Sequence, residues 1–152
     1  MLRHLTLCVL VGITFVTTGC SSTTIDNQET TEHPDEPLIY TYWKLVTLDG
    51  APVVARENFR EPHLVLHQDA SRLAGATGCN NLMGSYSVES EHITFNQVAT
   101  TKMACPAAQM KTEQAFLAAL EQAAAWHVDG LALELLDDNN EPLASFEAVH
   151  LY

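Results

Sequence analysis

Positive charge is what this chain has least of. Seven Lys and Arg stand against nineteen Asp and Glu in 152 residues, a net charge of −12. A field of that sign repels phosphate backbones and anionic surfaces, so nucleic acid is excluded as an expected partner. Apolar runs are also short. The longest, from about Leu5 to Val16, is about twelve residues, against the roughly 20 that a bilayer-spanning helix needs. No G-x-S-x-G elbow and no C-x-x-C pair occurs, which removes the sequence signatures of a serine hydrolase and of a dithiol redox centre. Only four cysteines are present.

What is there begins with the first twenty residues. Arg3 and His4 precede the apolar run, and Thr17, Thr18 and Gly19 lead to Cys20. This is the order of a secretory signal. The small residues before Cys20 resemble the bacterial lipoprotein box, although Thr17 stands where such proteins usually carry Leu. The resemblance implies cleavage before Cys20 and its lipidation, with ordinary cleavage to a soluble periplasmic protein as the alternative. Ser21 after the cysteine resembles sorting to the outer membrane. From Ser21 to about Leu38 the chain is polar and acidic, with two prolines and no Lys or Arg. It buries too little apolar surface to offset backbone ordering and reads as a tether spanning on the order of 25 Å. The expected organisation is a signal over 1–19, the lipidated cysteine and tether over 20–38, and one domain over 39–152. Loss of residues 1–19 removes Arg3 and no acidic residue, leaving a net charge of about −13.

Within the domain most segments alternate as strands. Tyr40 to Leu48 runs into a turn at Asp49-Gly50. His63 to Gln68 and the segment from Ser71 form a hairpin about Asp69-Ala70, and Gly84 to Val88 pairs with His92 to Asn96. Asp129-Gly130, between Ala125 and Leu136, predicts a type I′ hairpin turn. A last strand follows the polar turn Asp137 to Pro142. The exception is alanine-rich and helical, at about 107–125, behind a Pro106 that the first turn tolerates. At 100° per residue its buried stripe is expected at Met110, Leu117, Leu120 and Ala124, with Phe116 at the edge and Glu113 on the stripe. A carboxylate there needs donors from the sheet beneath; a general acid or base is the sharper alternative.

Cys8 leaves with the signal and Cys20 with the lipid, so Cys79 and Cys105 remain. In an oxidising compartment a disulfide is the simplest state. Closing the 27-residue loop stabilises by roughly 3–4 kcal/mol in the chain-entropy model. Reduced structural thiols, or metal or redox chemistry, are the other readings. Zinc would need two further ligands, for which His63 and His67 on one strand face are the candidates. Gly78 and Gly84 flank Cys79 where turns favour positive φ, and Asn80 and Asn81 can bond nearby amides there. The oxygen-rich run Asp137 to Glu141 lacks the spacing and glycine of a calcium loop, so no metal and no cofactor is expected.

Trp43 with Leu45 and Gly50, then "GATGCNNLMGSY" (75–86), then "TTKMACP" (100–106) followed by Glu113 and "FLAAL", and finally "WHVDGLALELL" occur in an order that resembles META domains, including bacterial heat-shock HslJ-like lipoproteins. The resemblance spans about Tyr40 to Tyr152, and its specific part is the pairing of Gly78-Cys79-Asn80 with Thr101, Met103 and Cys105. It implies an α+β fold, a mainly antiparallel sheet curled into a partial barrel with one helix packed on it, and no catalytic residues to carry over. The expected function is that of a non-enzymatic outer-membrane lipoprotein facing the periplasm, a binding or scaffold domain linked to envelope or heat stress. The membrane would be reached through the lipid on Cys20. The other partner is a periplasmic protein or, in the alternative of a carrier with a barrel-like cavity, a small hydrophobic ligand. Ser85, Ser87, His92 and Asp129 supply hydrolase residue types without a motif.

Overall fold

A computed structural model describes residues 34–150. The expected signal, Cys20 and the tether as far as residue 33 lie outside the described residues. In chain order the elements are β1 (Tyr42–Leu48), β2 (Ala51–Pro52), β3 (His63–His67), β4 (Arg72–Ala76), β5 (Asn81–Glu89), β6 (His92–Thr100), α1 (Ala107–Gln122), β7 (Ala125–Asp129), β8 (Ala132–Leu136) and β9 (Pro142–Val149). They form one antiparallel sheet in the order β2-β1-β3-β4-β5-β6-β7-β8-β9, and β1 also pairs with β9. The sheet is thus ringed nearly into a barrel, with the helix packed on it.

The ring follows from alternation on strands that each have one apolar face. Trp43 and Leu45 of β1, Leu64 and Leu66 of β3, Leu73 of β4, Leu133 and Leu135 of β8 and Phe146 of β9 are all almost wholly buried. They meet in a single core, and side chains fill the interior. Along β1 the pairing with β9 slips between Leu45 and Thr47, leaving Val46 as a bulge. The extra residue turns the alternation over, so Leu48 faces inward and Val46 outward. The pairing at one seam is thin. β6 meets β7 through His92 and Ala125, supplemented by the Trp126 amide on the Glu91 carbonyl at 3.0 Å and the Ile93 amide on the Ala124 carbonyl at 3.0 Å.

Turn chemistry differs from expectation at one hairpin. Asp49 and Gly50 both have positive φ, 48° and 72°, the type I′ signature, and they join β1 to the short β2. Between β7 and β8, however, Asp129 pairs with Ala132, so the central residues are Gly130 and Leu131. Only Gly130 has positive φ, at 56°, as in a type II′ turn. The register is set one residue later because Val128 and Leu133 must both face the core.

The helix stops at Gln122 rather than Ala125. Ala123 leaves helical geometry at ψ 125°, and the Ala124 amide donates to the Leu136 carbonyl at 2.9 Å. Sheet pairing overrides the alanine propensity there. The buried stripe is also rotated from the expected one. Gln109, Glu113, Phe116, Ala119 and Leu120 are buried, with Phe116 at the centre rather than the edge, and Met110 and Leu117 only half-buried. Phe116 meets Phe146 with ring centroids 5.9 Å apart. At the other end of the chain, residues 35–38 are held to the domain: the Gly130 amide donates to Asp35 Oδ1 at 2.9 Å, the Glu36 amide donates to the Gly130 carbonyl at 2.9 Å, and Leu38 is buried.

Candidate functional site

The two cysteine-bearing runs are brought together. Cys79 and Cys105 form a disulfide, their Cα atoms 6.2 Å apart. Cys79 lies in the turn from Thr77 to Asn80 that joins β4 to β5, and Cys105 lies in the connection from β6 to α1. Gly78 has φ of 97°, and a Cβ there would meet Pro62 Cγ at 3.2 Å, so this turn specifies glycine. The turn closes on itself: the Thr77 amide donates to the Asn80 carbonyl at 2.9 Å, and the Asn80 amide donates to Thr77 Oγ1 at 3.1 Å.

Beside the disulfide a buried polar network ties three elements. Glu113 is 6% exposed, Asn80 1% and Thr77 0%. Thr77 Oγ1 donates to Glu113 Oε2 at 2.5 Å, Asn80 Nδ2 donates to the same oxygen at 2.9 Å, and Thr100 Oγ1 donates to Oε1 at 3.5 Å. Asn80 Oδ1 in turn accepts from Thr101 Oγ1 at 2.9 Å and from the Met103 amide at 2.8 Å. Thr101 Oγ1 also accepts from the Asn81 amide at 3.1 Å. Both ends of the Asn80 amide are therefore used, and the Glu113 carboxylate has the donors a buried carboxylate requires. Burial without them would leave a group of high cost; with them, the helix is keyed to the glycine turn.

Other sequence candidates separate from this network. Trp43, 0% exposed, lies in the core, where its Nε1 donates to the Leu38 carbonyl at 3.0 Å. Met103 contributes its amide, while its side chain is 57% exposed. Gly84 does not take positive φ. It faces a bulge in β6, where the pairing passes from Met83–Ala99 to Ser85–Asn96, and it is Gln97 that has φ of 51°. A Cβ at Gly84 would lie 3.0 Å from the Asn96 carbonyl oxygen and 3.2 Å from Val98 Cα, so close backbone approach is what it serves. His63 and His67 take separate partners: the His63 ring stacks on Tyr42 with centroids 4.2 Å apart, and His67 meets Tyr40 edge-on at 5.8 Å. Burial lowers the pKa of His63, opposed by its bond to the Glu61 carbonyl. Among the described residues no cluster of three or more His, Cys, Asp or Glu is gathered, and Ser85 bonds the Asn96 carbonyl at 3.3 Å rather than any of His92, Ser87 or Asp129. In the Asp137 turn, the Asn139 and Glu141 amides both donate to Asp137 Oδ1 at 2.8 Å. The Glu141 bond is the leading cause of the lowered pKa of Asp137.

Outside the barrel, a cavity of about 450 Å³ opens between β2, the loop 53–62 and the first half of α1. Its apolar wall includes Pro52, Val53, Phe59 and Ala115, and its rim carries Arg56, Arg60, Lys111 and Asp49. The volume falls within the roughly 300–1,000 Å³ common to ligand sites. Arg60 also reaches Asn81 Oδ1 with its Nη1, which joins the rim to the clasp. Sequence reading missed this groove, because the loop has no periodicity and its cations lie far apart in the chain. The one available signal was that Arg56 and Arg60 sit close together in a chain poor in basic residues.

Residues 36–150 match the model of the META domain. Among solved structures the chain is similar to an NMR structure of a protein from Burkholderia xenovorans, at 25% identity over 75% of this chain and 85% of that one, with a TM-score of 0.61. It is also similar in fold to a crystal structure of a DUF4847 family protein from Bacteroides vulgatus, at 15% identity over 72% of this chain and 93% of that one, with a TM-score of 0.52. Comparison with curated proteins gives no match.

Proposed function

The chain belongs to the META domain family, and from that premise we propose a non-enzymatic binding or scaffold domain, held at the bacterial outer membrane by a lipid on Cys20 and facing the periplasm, where it serves envelope or heat-stress tolerance. The disulfide supports an oxidising compartment, and the acidic segment after Cys20 supports a spacer between lipid and domain. The observation that carries the binding reading is the shape: a barrel with a packed core and an open groove on its outside. Glu113, the carboxylate best placed for acid–base work, is engaged by Thr77, Asn80 and Thr100, which supports a structural assignment. The alternative of a carrier for a small hydrophobic ligand draws its support from the groove, whose wall is apolar, while buried side chains pack the barrel core.

A photo-reactive amino acid placed at Val54, on the groove and 76% exposed, tests the reading in cells, with a second at Glu134 on an exposed strand face as control. The expected result is one reproducible adduct from position 54 that is absent from position 134. Identical patterns of abundant bystanders from both positions would contradict it.

A further inference from the structure

We propose that the groove between the 53–62 loop and α1 is a binding site for an amphipathic carboxylate, an aliphatic tail with a single acidic head. The proposal rests on the binding-domain reading and supplies its ligand chemistry. Six basic residues lie between positions 34 and 150, and three of them, Arg56, Arg60 and Lys111, line this one cavity. Such a concentration in a chain of net charge −12 is the opposite of a random scatter. Among the described residues, neither Arg56 nor Lys111 has an ion-pair partner; the ion pairs there involve Lys44 and His150. Two unneutralised cations at the mouth of an apolar slot form an anion receptor with a tail-binding wall.

A second observation points to a ligand independently. Gln109 lines the cavity, is 6% exposed, and its Oε1 is buried without a hydrogen-bond partner. An unmet acceptor of this kind costs about 1–3 kcal/mol, which a donor on a bound molecule would offset. The neighbouring helix end adds to the field. Its N-cap residue, Pro106, provides no side-chain cap, and no acidic residue occupies the first turn, so the positive end of the helix dipole is left uncompensated beside the groove. The head is a monoanion because the surrounding acidic protein repels a dianion about twice as strongly, and Asp49 stands on the rim. The preferred ligand is a hydroxylated aliphatic acid, whose hydroxyl donates to Gln109 Oε1 while the carboxylate meets Arg56 and Lys111.

Calorimetric titration of residues 21–152, which contain the whole barrel and groove, tests this with decanoate, 2-hydroxydecanoate, decyl phosphate and decanol. One site is expected, with 2-hydroxydecanoate tightest, decanoate next, and decanol at least tenfold weaker than decanoate. The variant Arg56→Gln/Lys111→Gln should lose at least tenfold in decanoate affinity at an unchanged melting temperature; Arg60 is spared because it contacts Asn81. Gln109→Leu should abolish the advantage of the hydroxyl while leaving decanoate itself bound. Equal binding of decanol and decanoate would overturn the carboxylate assignment and leave the binding-domain reading intact, as would tighter binding of decyl phosphate. Decanoate binding that appears only when residues 21–33 are removed would reassign the groove to the chain's own acidic segment. No binding of any of the four would overturn the proposal, and joined to a failed crosslink at position 54 it would overturn the binding-domain reading as well.

Discussion

Glu113 accepts from three side chains on two segments that the sequence keeps apart, Thr77 and Asn80 on one oxygen and Thr100 on the other. In Glu113→Gln the amide oxygen keeps the Thr77 and Asn80 bonds while the NH2 group faces the Thr100 hydroxyl, which can accept, so what is lost is the charge assistance of the buried bonds. The expected loss is about 1 kcal/mol in urea unfolding. Asn80→Asp should cost more, about 3–5 kcal/mol, because an uncompensated buried charge is added beside Glu113. Its deficit should shrink as the pH is lowered, since protonation of the introduced carboxyl restores a donor toward Glu113; a deficit independent of pH would refute the assignment. His63 has a separate pH signature. Its folded pKa lies below the ordinary value because burial disfavours the imidazolium, so the unfolded chain takes up the proton first as pH falls below about 6.5. Stability present above that pH is therefore lost on acidification through that value towards the folded pKa. Melting curves between pH 7.5 and 5.5 should fall less steeply for His63→Gln than for the natural chain.

Among the elements, α1 and the β5–β6 hairpin carry the clearest expectations. Phe116 is fully buried against Phe146 and the core, so Phe116→Ala should cost about 3–5 kcal/mol, whereas Leu117→Ala, half-buried, should cost distinctly less; comparable losses in urea unfolding would mean that the stripe is wrongly placed. The helix itself was legible from its alanines and Pro106, and the hairpins from Asp-Gly pairs and alternation. The helical stripe was not, because the apolar residues Met110 and Leu117 suggested one face while the face actually buried includes Gln109 and Glu113. Glu113 takes its place on that stripe because partners await it, and those partners, Thr77, Asn80 and Thr100, lie on distant segments. The spacing Gln109, Glu113, Phe116, Leu120 was available as a helical face, but only the network explains why it turns inward. Likewise Gly84 read as a turn glycine, since nothing local announces the bulge at Gln97 against which it must fit. The β1–β9 pairing joins the two ends of the domain with no turn to signal it, so closure of the ring left no local trace in the sequence.

At the scale of the whole molecule, the disulfide and the Glu113 network act on the same junction: both hold the β4–β5 turn against the segment leading into α1. One face of that junction is the barrel core, and the other includes Thr77, Gly78 and Gln109 of the groove. A domain of this size has only about 5–15 kcal/mol of net stability, so a cross-link worth about 3.5 kcal/mol is a large part of it. The clasp thereby links stability to the presentation of a concave surface that combines apolar walls with three of the scarce cations of an acidic chain. Thermal melting of residues 21–152 under oxidising conditions, with and without Cys79→Ser/Cys105→Ser, tests this most directly. The account predicts a melting temperature lower by on the order of 10–20 °C in the double variant, with the folded-state spectrum retained; an unchanged melting temperature would contradict it.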